Sequence, residues 1–322
     1  MKAMTYTQYG SPSVLTLSEL EQPTPEDHQV LVEIKAASVN SGDYHLLTGT
    51  PFLVRTAYGF FKPKHTILGS DMAGIVRAVD QNVTTFEVGD EVFANLADYG
   101  FGAFAEFVCV DAKALVHKPS SLSFEQVAAI PNAATTALQG LRDLGQLSAG
   151  QKVLINGASG GVGTYAVQIA KALGAEVTAV CSTTKLEMVR EIGADHVLDY
   201  SKQDPTKLTQ RFDLIFDVAA FRSFLEFKPL LKPQGRYVMA GGAIGNILQM
   251  LFLGSVMGMT GQQKFLNLLV KPNTDDLKYL VKLLETGVIA PVIEKEYTLL
   301  ELPEALTYLG LGHAKGKLII KI

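Results

Sequence analysis

Two textures of hydrophobic and polar positions divide the chain. Up to about Leu122, short runs mix alternation with β-branched residues: VLVEIKAASV (Val30–Val39), GIVRAV (Gly74–Val79) and AEFVCV (Ala105–Val110). Strand side chains point alternately to opposite faces, so this pattern predicts strands. Turn residues punctuate them at Tyr9-Gly10-Ser11-Pro12, Pro23-Thr24-Pro25 and Val88-Gly89-Asp90. From Ser123 the spacing turns helical and alanine-rich, and Ser123 with Gln126 predicts a capping box. Strand-like and helix-like segments then alternate: KVLING, VGTYAVQIAKALG, EVTAVC, KLEMVREIG, HVLDY, then FDLIFDVA and GRYVMAGG. Such alternation predicts a doubly wound α/β unit with a parallel sheet. After about Gly261 the pattern is mixed again.

The turn after the first of these strands carries the chemistry. Ala158-Ser159-Gly160-Gly161-Val162-Gly163 is a variant of the dinucleotide fingerprint, with Ala at the first glycine position. Gly160 would let the backbone approach a pyrophosphate, and Gly163 would let the helix pack close on the strand. The helix start offers N–H groups and a positive dipole end, and Ser159 a hydroxyl. A tight ligand-free turn is the bland alternative; the flanking strands and helix favour a nucleotide.

The second strand bears on which nucleotide. NAD enzymes place an acid at its end to grip the ribose 2′-hydroxyl, but Cys181 stands there. Ser182 and Lys185 follow and suit a phosphate, so the expected cofactor is NADPH.

The chain resembles the medium-chain dehydrogenase/reductase superfamily, in its zinc-free quinone oxidoreductase-like branch. The likeness runs through AASVNSGDYHLLTG (Ala36–Gly49), ILGSDMAGIV (Ile67–Val76), GAFAEFV, AAIPNAATTALQGL, the glycine turn and the terminal GHAKGKLIIKI. It implies a GroES-like β-barrel catalytic domain over 1–122 and a Rossmann domain over 123–260. Residues 261–322 would return to complete the catalytic domain, with the cofactor in the cleft between. By the same likeness Lys185 and Tyr200 bind the 2′-phosphate, Thr136 lies near the nicotinamide, and Gly241 and Gly242 line the cofactor. A homodimer is implied too.

Zinc-dependent relatives carry Cys, His and Cys at or near the positions of Asn40, Ser70 and Asn132, none of which is a good zinc ligand. The resemblance therefore implies no metal. Without a Lewis acid, acceptors that take hydride readily fit best: quinones or α,β-unsaturated carbonyls. Asn40 and Tyr44 are the candidates to donate hydrogen bonds to the substrate oxygen, Tyr44 alternatively as proton donor. Asp43 is expected to hold its own loop and His45 to be structural. An enoyl-thioester reductase, with Arg55, Lys62 and Lys64 meeting a coenzyme A phosphate, and a non-catalytic NADPH-binding protein at a membrane surface are the alternatives.

Bulk properties narrow the field. The 322 residues carry a net charge of -4, which offers no basic field to a nucleic acid. Cys109 and Cys181 are the two cysteines, too few for a disulfide framework. No signal-like apolar core opens the chain, so a cytoplasmic location is expected. The apolar segment Ile247–Met259 is too short to span a bilayer and is expected to be buried or at an interface, not on a membrane. Aromatic-rich Pro51–His65 reads either as a lid or as a pinned surface loop.

Overall fold

The computed structural model describes residues 1–254, 257 and 261–322, in two compact units. The first contains Met1–Asn132, Pro272–Glu285 and Pro291–Ile322; the second contains Ala133–Lys271 and Thr286–Ala290.

In the first unit β1 (Lys2–Thr5) and β2 (Thr16–Glu19) form an antiparallel pair. The main sheet starts with β3 (Gln29–Val39), β4 (Asp71–Val79), β5 (Glu91–Asn95), β6 (Phe107–Asp111) and β7 (Val116–His117). β3 is the hub, antiparallel to both β4 and β6. Val30, Leu31, Val32, Ile34, Ala36 and Ala37 are all buried, so β3 is covered on both faces over most of its length. Asn40 then caps α1 (Ser41–Thr48), with Asp43 returning to the cap as a capping box.

Residues 51–65 contain the short helix α2 (Leu53–Tyr58). The segment is tied down: Arg55 Nε donates to Gly49 O at 3.1 Å, its guanidinium lies 4.6 Å from the Tyr9 ring, and Tyr9 Oη donates to Gly59 O at 2.5 Å. Phe52, Leu53, Phe60 and Phe61 remain exposed.

α3 (Phe124–Ala128) has the expected Ser123–Gln126 capping box and packs on β3 and β4. α4 (Pro131–Leu138) contains the boundary between the units, which falls ten residues beyond the expected one. The reason is local: α3 packs on first-unit strands, and Asn132 N donates to Asp71 Oδ1 at 3.0 Å.

The second unit runs β8 (Lys152–Asn156), α5 (Gly161–Ala172), β9 (Glu176–Cys181), α6 (Leu186–Glu191), β10 (His196–Asp199), β11 (Phe212–Asp217), β12 (Leu231–Met239) and β13 (Lys264–Asn267). These strands form one parallel sheet in the order β10-β9-β8-β11-β12-β13. The order reverses between β8 and β11, the switch point at which doubly wound sheets hold ligands. β9 is buried from Val177 to Cys181, as a strand covered on both faces must be. β13 extends the parallel sheet beyond β12, so this unit runs to Lys271, past the expected limit of 260. Residues 286–290 join it through Gln168, which exchanges side-chain hydrogen bonds with Ala290 N and O at 2.7 and 2.9 Å.

The chain returns to the first unit with β14 (Ile293–Thr298) and β15 (Lys317–Lys321). β15 pairs antiparallel with β3, Leu318 opposite Val39. Among the described residues no helix is long and apolar enough to cross a membrane. Of the apolar segment 247–259, residues 247–254 are helical, and Ser255, Val256, Gly258 and Met259 lie outside the described residues.

Candidate active site

The glycine turn sits at the switch point. Gly157 has φ +84°, so the left-handed turn falls one residue before the six-residue fingerprint, which explains how Ala158 is tolerated there. A Cβ on Gly163 would lie 2.1 Å from Gly157 O, so the start of α5 sits too close to the backbone of the preceding turn for any side chain. Gly160 caps α5 and is open: a Cβ there meets nothing nearer than Gly157 O at 3.9 Å. Ser159 is buried at the same turn, and Gly161 and Val162 open α5, whose first N–H groups lack intrahelical acceptors. The cradle fits a dinucleotide pyrophosphate.

Gly241 and Gly242 follow β12 with φ +97° and +123°, and a Cβ on Gly242 would be 2.3 Å from Ala220 Cβ. Beneath them lies a carboxylate that pattern reading passed over. Asp217, buried at the end of β11, accepts from Tyr237 Oη at 2.5 Å, Asn156 Nδ2 at 2.8 Å and Ala220 N at 2.7 Å. Burial pushes its pKa up, against the pull of those donors. An acid closing the apolar run FDLIFD was the available signal. Thr136 is buried in α4.

At the end of β9, Cys181 is in register with Asp199 of β10. Burial pushes its thiol up to about 11; Asp199 adds to this, while Lys185 and Arg190 oppose it. Ser182 caps a single 3-10 turn that ends at Lys185. Lys185 is 8% exposed, not a solvated lysine, whereas Tyr200 is 57% exposed. Asp199 is turned inward, accepting from Thr183 Oγ1 at 2.5 Å and Ser201 Oγ at 2.7 Å, and these hydroxyls hold its carboxyl below the usual range. Arg190 brings a second cation that sequence reading assigned only to a helix.

In the first unit Asn40 is the centre of a buried polar cluster. Lys317 Nζ donates to Asn40 Oδ1 at 2.5 Å and lies 3.6 Å from Asp71 Oδ2. Asn40 Nδ2 donates to Asp71 Oδ2 at 2.9 Å and to Ser70 Oγ at 3.2 Å, and Ser38 Oγ donates to Asp71 at 3.0 Å. Asp43 Oδ2 accepts from Asn40 N at 2.8 Å. Burial pushes the Asp43 carboxyl up to about 7, against the pull of the Asn40 N–H. Neither Asp71 nor Lys317 figured as a site residue in the sequence reading.

Both amide hydrogens of Asn40 are therefore engaged inside the protein, so a substrate oxygen would have to take over the longer one from Ser70. Tyr44 is half-buried, its ring against Gly310, where a Cβ would lie 2.5 Å from Cε2. His45 is exposed. At the zinc-ligand positions, amide and hydroxyl groups around an ammonium form a poor donor set for zinc.

Residues 26–120 match the family described as alcohol dehydrogenase GroES-like domain, and residues 192–320 the family described as zinc-binding dehydrogenase. The chain is 33% identical to a 2-methylene-furan-3-one reductase of Solanum lycopersicum, covering 99% of this chain and 79% of that one. It is 32% identical to an NADPH-dependent alkenal/one oxidoreductase, chloroplastic, of Arabidopsis thaliana, over the same shares of each. The solved quinone oxidoreductase of Coxiella burnetii superposes with a TM-score of 0.91 at 28% identity, covering 100% of this chain and 99% of that one. Fold and site define an oxidoreductase with a dinucleotide-binding domain. The chain belongs to the medium-chain dehydrogenase/reductase superfamily, in its quinone oxidoreductase-like branch.

Proposed function

We propose that this enzyme reduces quinones or α,β-unsaturated carbonyls, with NADPH as the reductant. The observation that carries the reading is the Asn40 cluster: polarised hydrogen-bond donors stand where a zinc enzyme needs metal ligands. Such donors suit an acceptor whose conjugation already spreads the developing negative charge. Names of relatives similar over nearly the whole chain, an alkenal/one oxidoreductase among them, point the same way.

The reduced nicotinamide, when bound, supplies the hydride. Gly160–Gly163 and Ser159 hold the pyrophosphate at the start of α5, and Ser182, Lys185 and Tyr200 take the 2′-phosphate. Thr136, Gly241 and Gly242 orient the nicotinamide end. Asn40 and the Tyr44 hydroxyl receive the substrate oxygen and stabilise the charge that builds there. Holding both reactants in place supplies much of the rate.

A purified sample should consume NADPH with a quinone or an alkenal, and more slowly with NADH. Failure across a broad panel of both substrate classes would overturn the reading. An enoyl thioester in the same panel tests the nearest rival, for which Arg55 is poorly placed because it packs over Tyr9. A homodimer and a cytoplasmic location belong to the same proposal; sedimentation and cell fractionation read them.

A further inference from the structure

The amide of Asn40 has two chemically different ends, and its surroundings allow it one orientation. Lys317 carries donors only, so the end it faces must be Oδ1. Asp71 Oδ2 lies 3.6 Å from the Lys317 ammonium and accepts from Ser38 Oγ, while its Oδ1 accepts from Asn132 N. Burial pushes its pKa up and these partners oppose that shift. The carboxyl is placed as an acceptor on both oxygens, so the end of the amide that it faces must be Nδ2. Each contact excludes the flipped amide: it would set N–H against ammonium and carbonyl against carboxylate. One Nδ2 hydrogen remains, and it goes to Ser70 Oγ at 3.2 Å, the longest of the three side-chain contacts of the amide. That hydrogen is the one another oxygen could take over at least cost.

Lys317 and Asp71 are side chains with essentially no exposure, 2% and 0%. Burying an ion pair costs desolvation on both sides and is weak evidence of a purely stabilising role. Here the pair does something an apolar replacement could not. The ammonium withdraws electron density from the amide oxygen, which makes the N–H at the other end a stronger donor.

We propose that Lys317 is a positioning residue: through Asn40 Oδ1 it fixes and polarises the amide so that its remaining N–H is presented to the substrate oxygen. An internal ammonium thus strengthens, through one intervening amide, the donor at a place where zinc enzymes use a metal. The inference rests on the carbonyl-reducing function proposed above and adds a residue that does not itself touch substrate.

The test is a double-mutant cycle read as kcat and KM separately, on the full-length enzyme with NADPH and a quinone. Lys317→Met alone leaves Asp71 as an orphaned charge, so the pair-neutral Asp71→Asn with Lys317→Met is made beside it. Each is placed in the wild-type and the Asn40→Ala background. The expected result in the wild-type background is a fall in kcat of about tenfold or more, with KM for NADPH unchanged. In the Asn40→Ala background the same changes cost little further, because the amide they act through has gone. Losses that multiply in full across the two backgrounds would overturn the proposal. So would wild-type kcat in the pair-neutral variant while the wild-type enzyme turns over. A wild-type enzyme inactive on every substrate fails the functional reading instead, so the two failures are distinguishable.

Discussion

Asp71 and Lys317 lie far apart in the sequence and meet as a buried ion pair, Nζ 3.6 Å from Oδ2, with Asn40 between them. Removing one partner of such a pair strands the other. Lys317→Met should lower unfolding free energy by about 3–5 kcal/mol, and the pair-neutral double variant by clearly less. Urea denaturation of the two variants measures the difference; equal losses would mean that the charges are not coupled.

Asp43 sets a pH dependence of stability. Its folded pKa of about 7 lies above the ordinary 3.8. A carboxyl with a raised folded pKa stabilises the fold fully below its unfolded pKa and loses that contribution as pH rises through the folded one. Between about 4 and 7 the native state therefore binds the extra proton, and stability should fall by up to about 1.4 kcal/mol per pH unit from this group. Asp43→Asn should flatten that slope in a series of thermal melts across this range.

The two helix-start glycines should respond in opposite ways. Gly163→Ala forces a Cβ to 2.1 Å from a backbone oxygen, so stability should fall by about 1–3 kcal/mol. Gly160→Ala meets open space, so its melting temperature should stay near wild type while dinucleotide affinity drops. Calorimetry with NADPH beside a thermal scan separates the two effects. Full affinity in Gly160→Ala would count against the pyrophosphate site.

Lys185→Ala should weaken NADPH by about 10–100-fold, the scale of one charge-assisted hydrogen bond, and NADH far less. Fluorescence titration with both nucleotides reads it. Equal losses would place Lys185 in the packing of the β9 turn and not on the 2′-phosphate.

Gly310→Ala tests Tyr44. The new Cβ falls 2.5 Å from the Tyr44 ring and must displace it. Turnover should fall although the fold persists; unchanged turnover would remove Tyr44 from the site.

The sequence texture carried much of the second unit. Alternating β and α segments, the glycine turn after β8 and the Ser123–Gln126 cap are local patterns, and each appears in the structure where its residues stand. Unit boundaries were less legible. Whether α3 or β13 belongs to one sheet or the other depends on packing partners distant in sequence, as Asn132 with Asp71 and β13 with β12 show.

By itself the sequence determined the parallel strand-helix succession, the phosphate-type turn and the absence of an acid at Cys181, because period, spacing and residue chemistry act between near neighbours. The tertiary structure decided what surrounds Asn40. The antiparallel register that sets Leu318 opposite Val39 brings Lys317 to Asn40, and pairing Ser38 with Asp71 brings in the carboxylate. A shift of one residue would turn Lys317 to the other face of the sheet. Registry between strands so far apart is fixed by the packing of the whole core, which no local stretch of the chain records.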